Sequence, residues 1–203
     1  MTRIIAINRH RLATDGKGVT TLVALHGCPL SCRYCLNPQC KDSTGKFPDY
    51  TPQQLLDQLK IDNLYFLATS GGVTFGGGEP LLHSNFIAEF RHIAPPEWKL
   101  NIETSLNVPH SNLEIIARQT DHFMIDIKDV NSQIYQTYTS CTNALMLSNM
   151  QWLVDNGLQN RCKVRLPLIK DYNNRANVSH SRITLAAMGF RHFEEFTYIT
   201  VKQ

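Results

Sequence analysis

The sequence predicts an α/β protein in which a parallel sheet is covered by helices. Six short apolar runs rich in β-branched residues alternate with longer amphipathic stretches along the 203 residues. Near-continuous apolar strands separated by helices are typical of parallel sheets with both faces covered. A barrel of β/α units and an open doubly wound sheet both fit this pattern, and periodicity does not separate them.

The strands are predicted from short runs of apolar and β-branched residues. A short additional strand near the start precedes the six main runs, the first of which is VTTLVAL. The predicted strands are 3–8, 19–25, 72–75, 99–104, 122–127, 162–168 and 196–201.

The helices are predicted from amphipathic stretches between these runs. The stretch TPQQLLDQLKI begins with Thr51 as N-cap and Pro52 at the first helical position. The predicted helices are 51–61, 83–93, 111–119, 143–157 and 177–190. The sequence shows no linker or repeat, so we expect one domain over residues 1–203.

Composition limits the classes of function. Hydrophobic residues make up 42% of the chain and charged residues 18%, as in folded globular proteins. The net charge is +3 and the basic residues are scattered, which gives no sign of a nucleic-acid surface. No apolar run is long enough to span a membrane, and residues 1–16 lack a signal-peptide core. We therefore expect a cytoplasmic protein that binds neither nucleic acid nor membrane.

The first unusual segment is GCPLSCRYC, which follows the strand at 19–25. Cys28, Cys32 and Cys35 have the spacing C-x3-C-x2-C. In a reducing compartment, clustered thiols are metal ligands or catalysts more often than disulfides. Three thiolates can hold three corners of a [4Fe–4S] cluster and leave the fourth iron for an exogenous ligand.

Two other interpretations of this loop stay open on the residues alone. Together with Cys40, the three cysteines could form a tetrahedral zinc site in a module that mediates protein contacts. The pair in CRYC could be a redox pair, although Cys28 would then be unexplained. Cys40, Cys141 and Cys162 are interpreted as structural thiols, because isolated cysteines often fill small apolar sites.

Further unusual residues follow later strands. The segment GGVTFGGGEPLL at 71–82 combines glycines, which let a ligand approach the backbone, with the carboxylate of Glu79. It lacks the third glycine of a dinucleotide-binding fingerprint, and a plain glycine-rich turn is the alternative. Asp126 and Lys128 flank Ile127 in a strand that is predicted to be buried. A buried charge destabilises the fold unless it has a partner.

The cysteine motif, with Tyr34 before its last cysteine, resembles that of the radical S-adenosylmethionine (SAM) superfamily. Longer blocks resemble the activating enzymes of glycyl radical enzymes, the pyruvate formate-lyase activating enzyme type, in a short form with one cluster. The similar blocks are DGKGVTTLVALHGCPLSCRYCLNP at 15–38, SGGVTFGGGEPLL at 70–82, and the segments 102–105, 122–128 and 164–173. The chain departs from the family pattern at Lys17, His26, Leu36 and Gly76, the last standing where a serine is frequent.

The resemblance implies a partial parallel (β/α)6 barrel with the cluster-binding loop at 26–40. It implies an anaerobic oxidoreductase that cleaves SAM reductively at a single [4Fe–4S] cluster. The resulting 5′-deoxyadenosyl radical abstracts hydrogen from a glycine of a partner glycyl radical enzyme. A flavodoxin or ferredoxin-type electron donor and a monomeric state are also expected. The chain ends at Gln203, before a histidine-bearing segment of longer relatives, so we expect no counterpart of that contact and a barrel open on one side.

The resemblance also assigns roles to residues. Cys28, Cys32 and Cys35 would ligate the cluster. The implied SAM contacts are Tyr34 and Leu36 at the adenine, Gly77, Gly78 and Glu79 at the methionine amino group with Thr104 and Ser105 beside it, Asp126 and Lys128 at the ribose or carboxylate, and Arg165 at the carboxylate. A monovalent-cation site is implied at Glu103, Thr104, Met124 and Asp126.

Other functions share the same initiating residues. A radical SAM enzyme acting on another peptide or a small metabolite is the first alternative. The activator of anaerobic ribonucleotide reductase is a nearer one, because it is also short and carries one cluster. Outside the enzymes, the alternative is the four-cysteine zinc module.

Overall fold

The computed structural model describes residues 1–12 and 14–198. Within these residues, eight strands and seven α-helices follow one another along the chain. The strands are β1 (Thr2–Arg11), β2 (Thr20–Leu25), β3 (Asp49–Tyr50), β4 (Gly72–Gly77), β5 (Lys99–Thr104), β6 (His122–Asp126), β7 (Cys162–Leu168) and β8 (His192–Thr197). The helices are α1 (Pro52–Leu59), α2 (Asn63–Thr69), α3 (Ser84–Ile93), α4 (His110–Ala117), α5 (Ser132–Thr139), α6 (Ala144–Asp155) and α7 (Arg175–Met188).

One compact unit consists of Met1–Cys28, Asn37–Thr104 and Ser111–Met124. Its strands stand in the order β3-β1-β2-β4-β5, followed by the first residues of β6. β1 is antiparallel to β2 and β3, whereas β2, β4 and β5 are parallel. The register pairs Leu25 with Gly77, so the carboxyl ends of β2 and β4 lie side by side.

The core of this unit follows from its apolar strands and aromatic side chains. All six residues of β2 are buried, as expected for a strand covered on both faces. The rings of Phe75 and Phe90 pack edge to face with centroids 5.4 Å apart, between β4 and α3. Helix α1 begins with a capping box at Thr51 and has Pro52 in its first turn, which confirms the predicted start of this helix.

The second unit consists of Pro29–Leu36, Ser105–His110 and the chain from Ile125 onward. In it the end of β6 is followed by β7 and β8. β7 and β8 are parallel, and Ile127 donates its backbone N–H to the carbonyl of Arg165 over 3.1 Å. Asn174 starts α7 with a second capping box.

The α/β class is confirmed. From β2 to β8, the strands of the eight-stranded sheet other than β3 are neighbours in chain order, as in successive β/α units of a barrel. Among the described residues, β3 and β8 each have a neighbouring strand on one side only, as expected for the edges of a partial barrel. The expectation of one domain over residues 1–203 stays a prediction.

Four elements differ from the sequence-based expectation. β3, α2 and α5 were not anticipated, because they are only 2, 7 and 8 residues long. The last strand was expected at 196–201 but begins at His192, shortly after Gly189, which caps the end of α7 with φ +124°. Residues 199–201 of that expected strand lie outside the described residues. No helix in the described chain combines the length and apolarity that a membrane span requires.

Candidate functional site

The glycine turn at the end of β4 lies directly against the backbone that leads to Cys28. Gly77 adopts φ +91°, which favours glycine. Gly78 donates its N–H to the carbonyl of Leu25 over 3.0 Å, and Glu79 donates its N–H to that of Gly27 over 2.7 Å. A Cβ on Gly78 would lie 2.1 Å from the Gly27 carbonyl oxygen. Only glycine permits this approach.

We expect Gly78→Ala to lower the free energy of unfolding by about 3 kcal/mol, because its Cβ would overlap backbone atoms that cannot move independently. Gly157→Ala is the matched control. Gly157 has φ +70° with no atom within 4 Å of the added Cβ, so only backbone strain of about 1 kcal/mol is expected. Denaturant unfolding of the metal-free variants measures both changes. Equal losses would show that the contact with Gly27 is not tight.

Glu79 is a buried carboxylate held in place by neutral donors. It is 1% exposed. Its Oε1 accepts hydrogen bonds from the Thr104 hydroxyl over 2.6 Å and from the backbone N–H of Leu81 over 3.2 Å. An ammonium group is a favourable ligand for such an oriented carboxylate. The structure therefore brings together three predicted contacts: the glycine turn, Glu79 and Thr104.

The departure at Gly76 has a local cause. A Cβ there would lie 2.9 Å from Oε2 of Glu103, so this carboxylate occupies the space in which a serine side chain would stand. Glu103, Thr104 and Met124, three of the predicted cation ligands, belong to the first unit, and Asp126 belongs to the second. Among the described residues, no three His, Cys, Asp or Glu side chains are grouped to hold a metal ion. The cation site stays a prediction.

The segment entering the cysteine loop is anchored in the first unit by hydrogen bonds. Gly27 donates its N–H to the carbonyl of Cys40 over 2.7 Å, and Asn37 donates from its side chain to the carbonyl of Gly77 over 3.1 Å. Nε2 of His83 lies 2.6 Å from the His26 carbonyl. Burial lowers the pKa of His83, an effect that this bond only partly offsets. The neutral ring therefore donates from Nε2 at pH 7.

The middle of the cysteine loop is held in the second unit by α5. Ser31 and Arg33 donate their N–H groups to the carbonyls of Thr139 and Tyr138 over 2.8 Å and 3.1 Å. Cys32 lies between these two anchors and is partly buried, whereas Cys35 is exposed. The thiol of Cys141 donates to the carbonyl of Pro29 over 3.3 Å. None of the six cysteines is in a disulfide.

A tyrosine cluster packs beside this loop in the second unit. The ring of Tyr172 contacts Tyr34 at 5.6 Å and Tyr138 at 5.0 Å between centroids, both edge to face. Tyr34 also donates its hydroxyl hydrogen to Asp171 over 3.2 Å. Tyr138, Tyr172 and Tyr198 were not predicted as site residues, because single tyrosines in a sequence do not indicate that their rings will meet. Leu36, the other expected adenine contact, is 54% exposed.

The three charged residues expected at the ribose and carboxylate lie together in the second unit. Oδ2 of Asp126 is 3.6 Å from Nζ of Lys128, and Oδ1 is 3.2 Å from Nε of Arg165. Burial alone would lower the pKa of Lys128, but Asp126 and then Cys32 raise it, and the net shift is upward. Lys128 is therefore charged throughout the physiological range. Ser105 accepts a hydrogen bond from the N–H of Asn107 over 3.4 Å.

Residues 22–178 match the Radical SAM superfamily. This match covers more than half of the chain, and the chain belongs to that superfamily. The predicted superfamily and the prediction of a radical enzyme are thereby confirmed. Membership implies a [4Fe–4S] cluster and SAM binding, whereas the number of cysteine ligands stays a prediction.

Within the superfamily, the chain is similar to activating enzymes. It is 34% identical over 139 residues to the pyruvate formate-lyase-activating enzyme of Clostridium pasteurianum, covering 68% of this chain and 58% of that enzyme. It is 26% identical over 223 residues to the pyruvate formate-lyase 2-activating enzyme of Escherichia coli K12, covering 94% and 75%. The structure of Streptococcus suis SuiB bound to precursor peptide SuiA has a similar fold, with a TM-score of 0.66, 14% identity and coverage of 87% of this chain and 38% of that chain.

One buried acceptor in the second unit is compatible with a bound SAM molecule. Oδ1 of Asp126 is buried and makes no hydrogen bond with any described residue, although Arg165 is paired with it electrostatically. A ligand hydroxyl would supply the missing donor. In the first unit, the glycine turn is fixed by close backbone packing, since a Cβ on Gly78 would overlap the carbonyl of Gly27. The spacing of the three thiols on one short loop suits iron, although the described residues do not bring three such side chains together at one point.

Proposed function

We propose that this chain activates a glycyl radical enzyme by removing a hydrogen atom from a backbone glycine of that partner. The observation that carries the proposal is the 34% identity with a pyruvate formate-lyase-activating enzyme, over a region that holds 68% of this chain. The C. pasteurianum enzyme is longer, since the match covers 58% of it. A flavodoxin or ferredoxin-type protein is the proposed electron donor, and the chain acts as a monomer.

Under this proposal the cysteine loop holds the cluster. Cys28, Cys32 and Cys35 would each supply one thiolate to the cluster, which would leave one iron without a protein ligand. When bound, the cluster would supply the electron for reductive cleavage of SAM. Cys40 is not a ligand in this proposal, which agrees with its 1% exposure and with its backbone role in anchoring Gly27.

The remaining residues bind and orient SAM. Glu79 takes up the ammonium group, because a buried carboxylate already oriented by Thr104 pairs strongly with a cation. Asp126 accepts a hydrogen bond from a ribose hydroxyl on its unsatisfied Oδ1. Lys128 and Arg165 carry permanent positive charges that attract the SAM carboxylate. Fixing these groups before reaction holds the sulfonium at one position relative to the cluster.

Turnover with the partner tests the proposed activity. We expect 5′-deoxyadenosine production under anaerobic, reducing conditions to rise when a cognate glycyl radical enzyme, or a peptide from its glycine loop, is added. A glycine-centred doublet is expected in the electron paramagnetic resonance (EPR) spectrum of the partner. The same peptide with alanine in place of the glycine is the matched control.

Two results would contradict the activase assignment. One is stimulation of turnover only by a small metabolite or an unrelated peptide, without a glycyl signal. That result would favour another radical SAM reaction on this chain. The other is equal stimulation by the glycine and alanine peptides, which would show that the glycine Cα is not the site of hydrogen abstraction.

A further inference from the structure

Tyr138 has a buried hydroxyl that the packing of the protein does not explain. The residue lies in α5 and is 0% exposed. Its hydroxyl has no partner in hydrogen-bonding geometry among the described residues, and the ring of Tyr198 packs nearby at 6.5 Å between centroids. A buried hydroxyl without a partner destabilises a protein, and phenylalanine would fill the same space without that cost. Packing of the chain alone therefore does not account for the hydroxyl of Tyr138.

The position of Tyr138 relative to Cys32 indicates a role for this hydroxyl. The backbone N–H of Arg33 donates to the carbonyl of Tyr138, and that of Ser31 donates to the carbonyl of Thr139. The residues on both sides of Cys32 are thus tied to Tyr138 and its neighbour. A tyrosine hydroxyl carries its proton at neutral pH and can act as a donor.

The ring of Tyr138 is fixed by other aromatic rings. Tyr172 packs edge to face at 5.0 Å between centroids, Tyr34 at 6.2 Å and Tyr198 at 6.5 Å. With three rings around it, the phenol cannot rotate away to reach solvent or a distant acceptor. An acceptor for this hydroxyl must therefore lie beside the ring. The cysteine loop is a neighbouring segment, because the backbone carbonyls of Tyr138 and Thr139 accept hydrogen bonds from it.

We propose that Tyr138 donates its hydroxyl hydrogen to a sulfur of the cluster held through Cys32, and thereby makes that cluster easier to reduce. A hydrogen bond to a thiolate or sulfide sulfur withdraws negative charge and stabilises the reduced, more negative cluster. The inference rests on the proposed function, since it requires iron at Cys32. It adds a residue of α5 to the cluster environment and gives it a role in electron uptake.

Replacing the hydroxyl alone tests this role. After anaerobic reconstitution, we expect Tyr138→Phe to bind as much iron as the unmodified protein but to have a more negative midpoint potential in an EPR-monitored reductive titration. In deuterated buffer, an exchangeable deuteron coupled to the reduced cluster should be lost from the electron–nuclear double resonance spectrum. The metal-free variant should be at least as resistant to denaturant as the unmodified protein, because it loses an unsatisfied group.

Tyr135→Phe is the matched control from the same helix. Tyr135 is also fully buried, but its hydroxyl accepts a hydrogen bond from the side chain of Asn107 over 3.1 Å. This variant should lose stability without changing the midpoint potential. In addition, 3-fluorotyrosine at position 138 keeps the shape of the ring and is a stronger donor, so it should shift the potential to a more positive value.

The possible results distinguish failure of the role of Tyr138 from failure of the proposed function. An unchanged potential in Tyr138→Phe with full iron content overturns the role of Tyr138 and leaves the proposed function intact. No shift with 3-fluorotyrosine overturns it as well, even if the phenylalanine variant fails to take up iron. Absence of iron from the unmodified protein after reconstitution would instead overturn the proposed function, and with it this inference.

Discussion

Replacing any one of Cys28, Cys32 and Cys35 by alanine should abolish the iron–sulfur cluster. The three thiolates are the only protein ligands in the proposed site, and a cluster held by two of them would exchange with solvent. After anaerobic reconstitution, iron and acid-labile sulfide should fall from about four of each per chain to background. Loss of the absorbance of the cluster in the visible region provides a second measurement on the same samples.

Cys40→Ala is the matched control for these variants. Its thiol is buried, and alanine retains the backbone carbonyl that accepts the N–H of Gly27, so the cluster should be retained at full iron content. Loss of the cluster in Cys40→Ala would favour a four-cysteine site, and zinc in place of iron would identify it as the interaction module. Either result would falsify the assignment of three cysteines to one iron–sulfur cluster.

Removal of the Glu79 carboxylate should weaken SAM binding by about ten- to a hundredfold, the effect of losing one charge-assisted hydrogen bond of roughly 1.5–3 kcal/mol. Equilibrium dialysis of SAM against the reconstituted Glu79→Ala variant measures this loss. Glu79→Gln keeps an acceptor for Thr104 and Leu81 and removes only the charge, so it should show most of the effect.

Glu89→Ala provides a control for changes in net charge. Glu89 is exposed on α3 and is not among the proposed contacts, so its replacement should leave the SAM affinity as it is. Unchanged affinity in both Glu79 variants would remove this residue from the site. Equal weakening in Glu89→Ala would attribute the effect to the overall charge of the protein.

The cysteine loop and the glycine turn could be predicted from the sequence because each depends on residues that are close together in the chain. The cysteine spacing and the glycine segment each lie within a dozen residues, and the buried strands β2 and β4 that precede them are continuous apolar runs. Thr51 and Pro52 likewise mark the start of α1 by short-range chemistry. Such features depend on neighbours in the chain, so a single sequence is sufficient to find them.

The charged residues and the tyrosine cluster of the second unit depend on contacts between positions that are distant in the chain. Asp126, Lys128 and Arg165 were each expected to contact a ligand, but their pairing with one another required β7 to stand next to β6. Helix α5 was missed because SQIYQTYT is rich in threonine and tyrosine, which are weak helix formers. It is stabilised instead by the Asn131 cap and by burial of Tyr135 and Tyr138. The tyrosine cluster that depends on α5 was missed with it.

The hydrogen bond from Glu79 to the carbonyl of Gly27 has a thermodynamic consequence. It joins the residue next to Cys28 to the residue proposed to bind the SAM ammonium, without an intervening side chain. A displacement of one is therefore transmitted to the other. Under the proposed function, ligation of iron and binding of SAM would be linked equilibria, and reciprocity would require each to change the affinity of the other by the same factor. Assembly of the two cofactors at this turn would then be coupled in both directions.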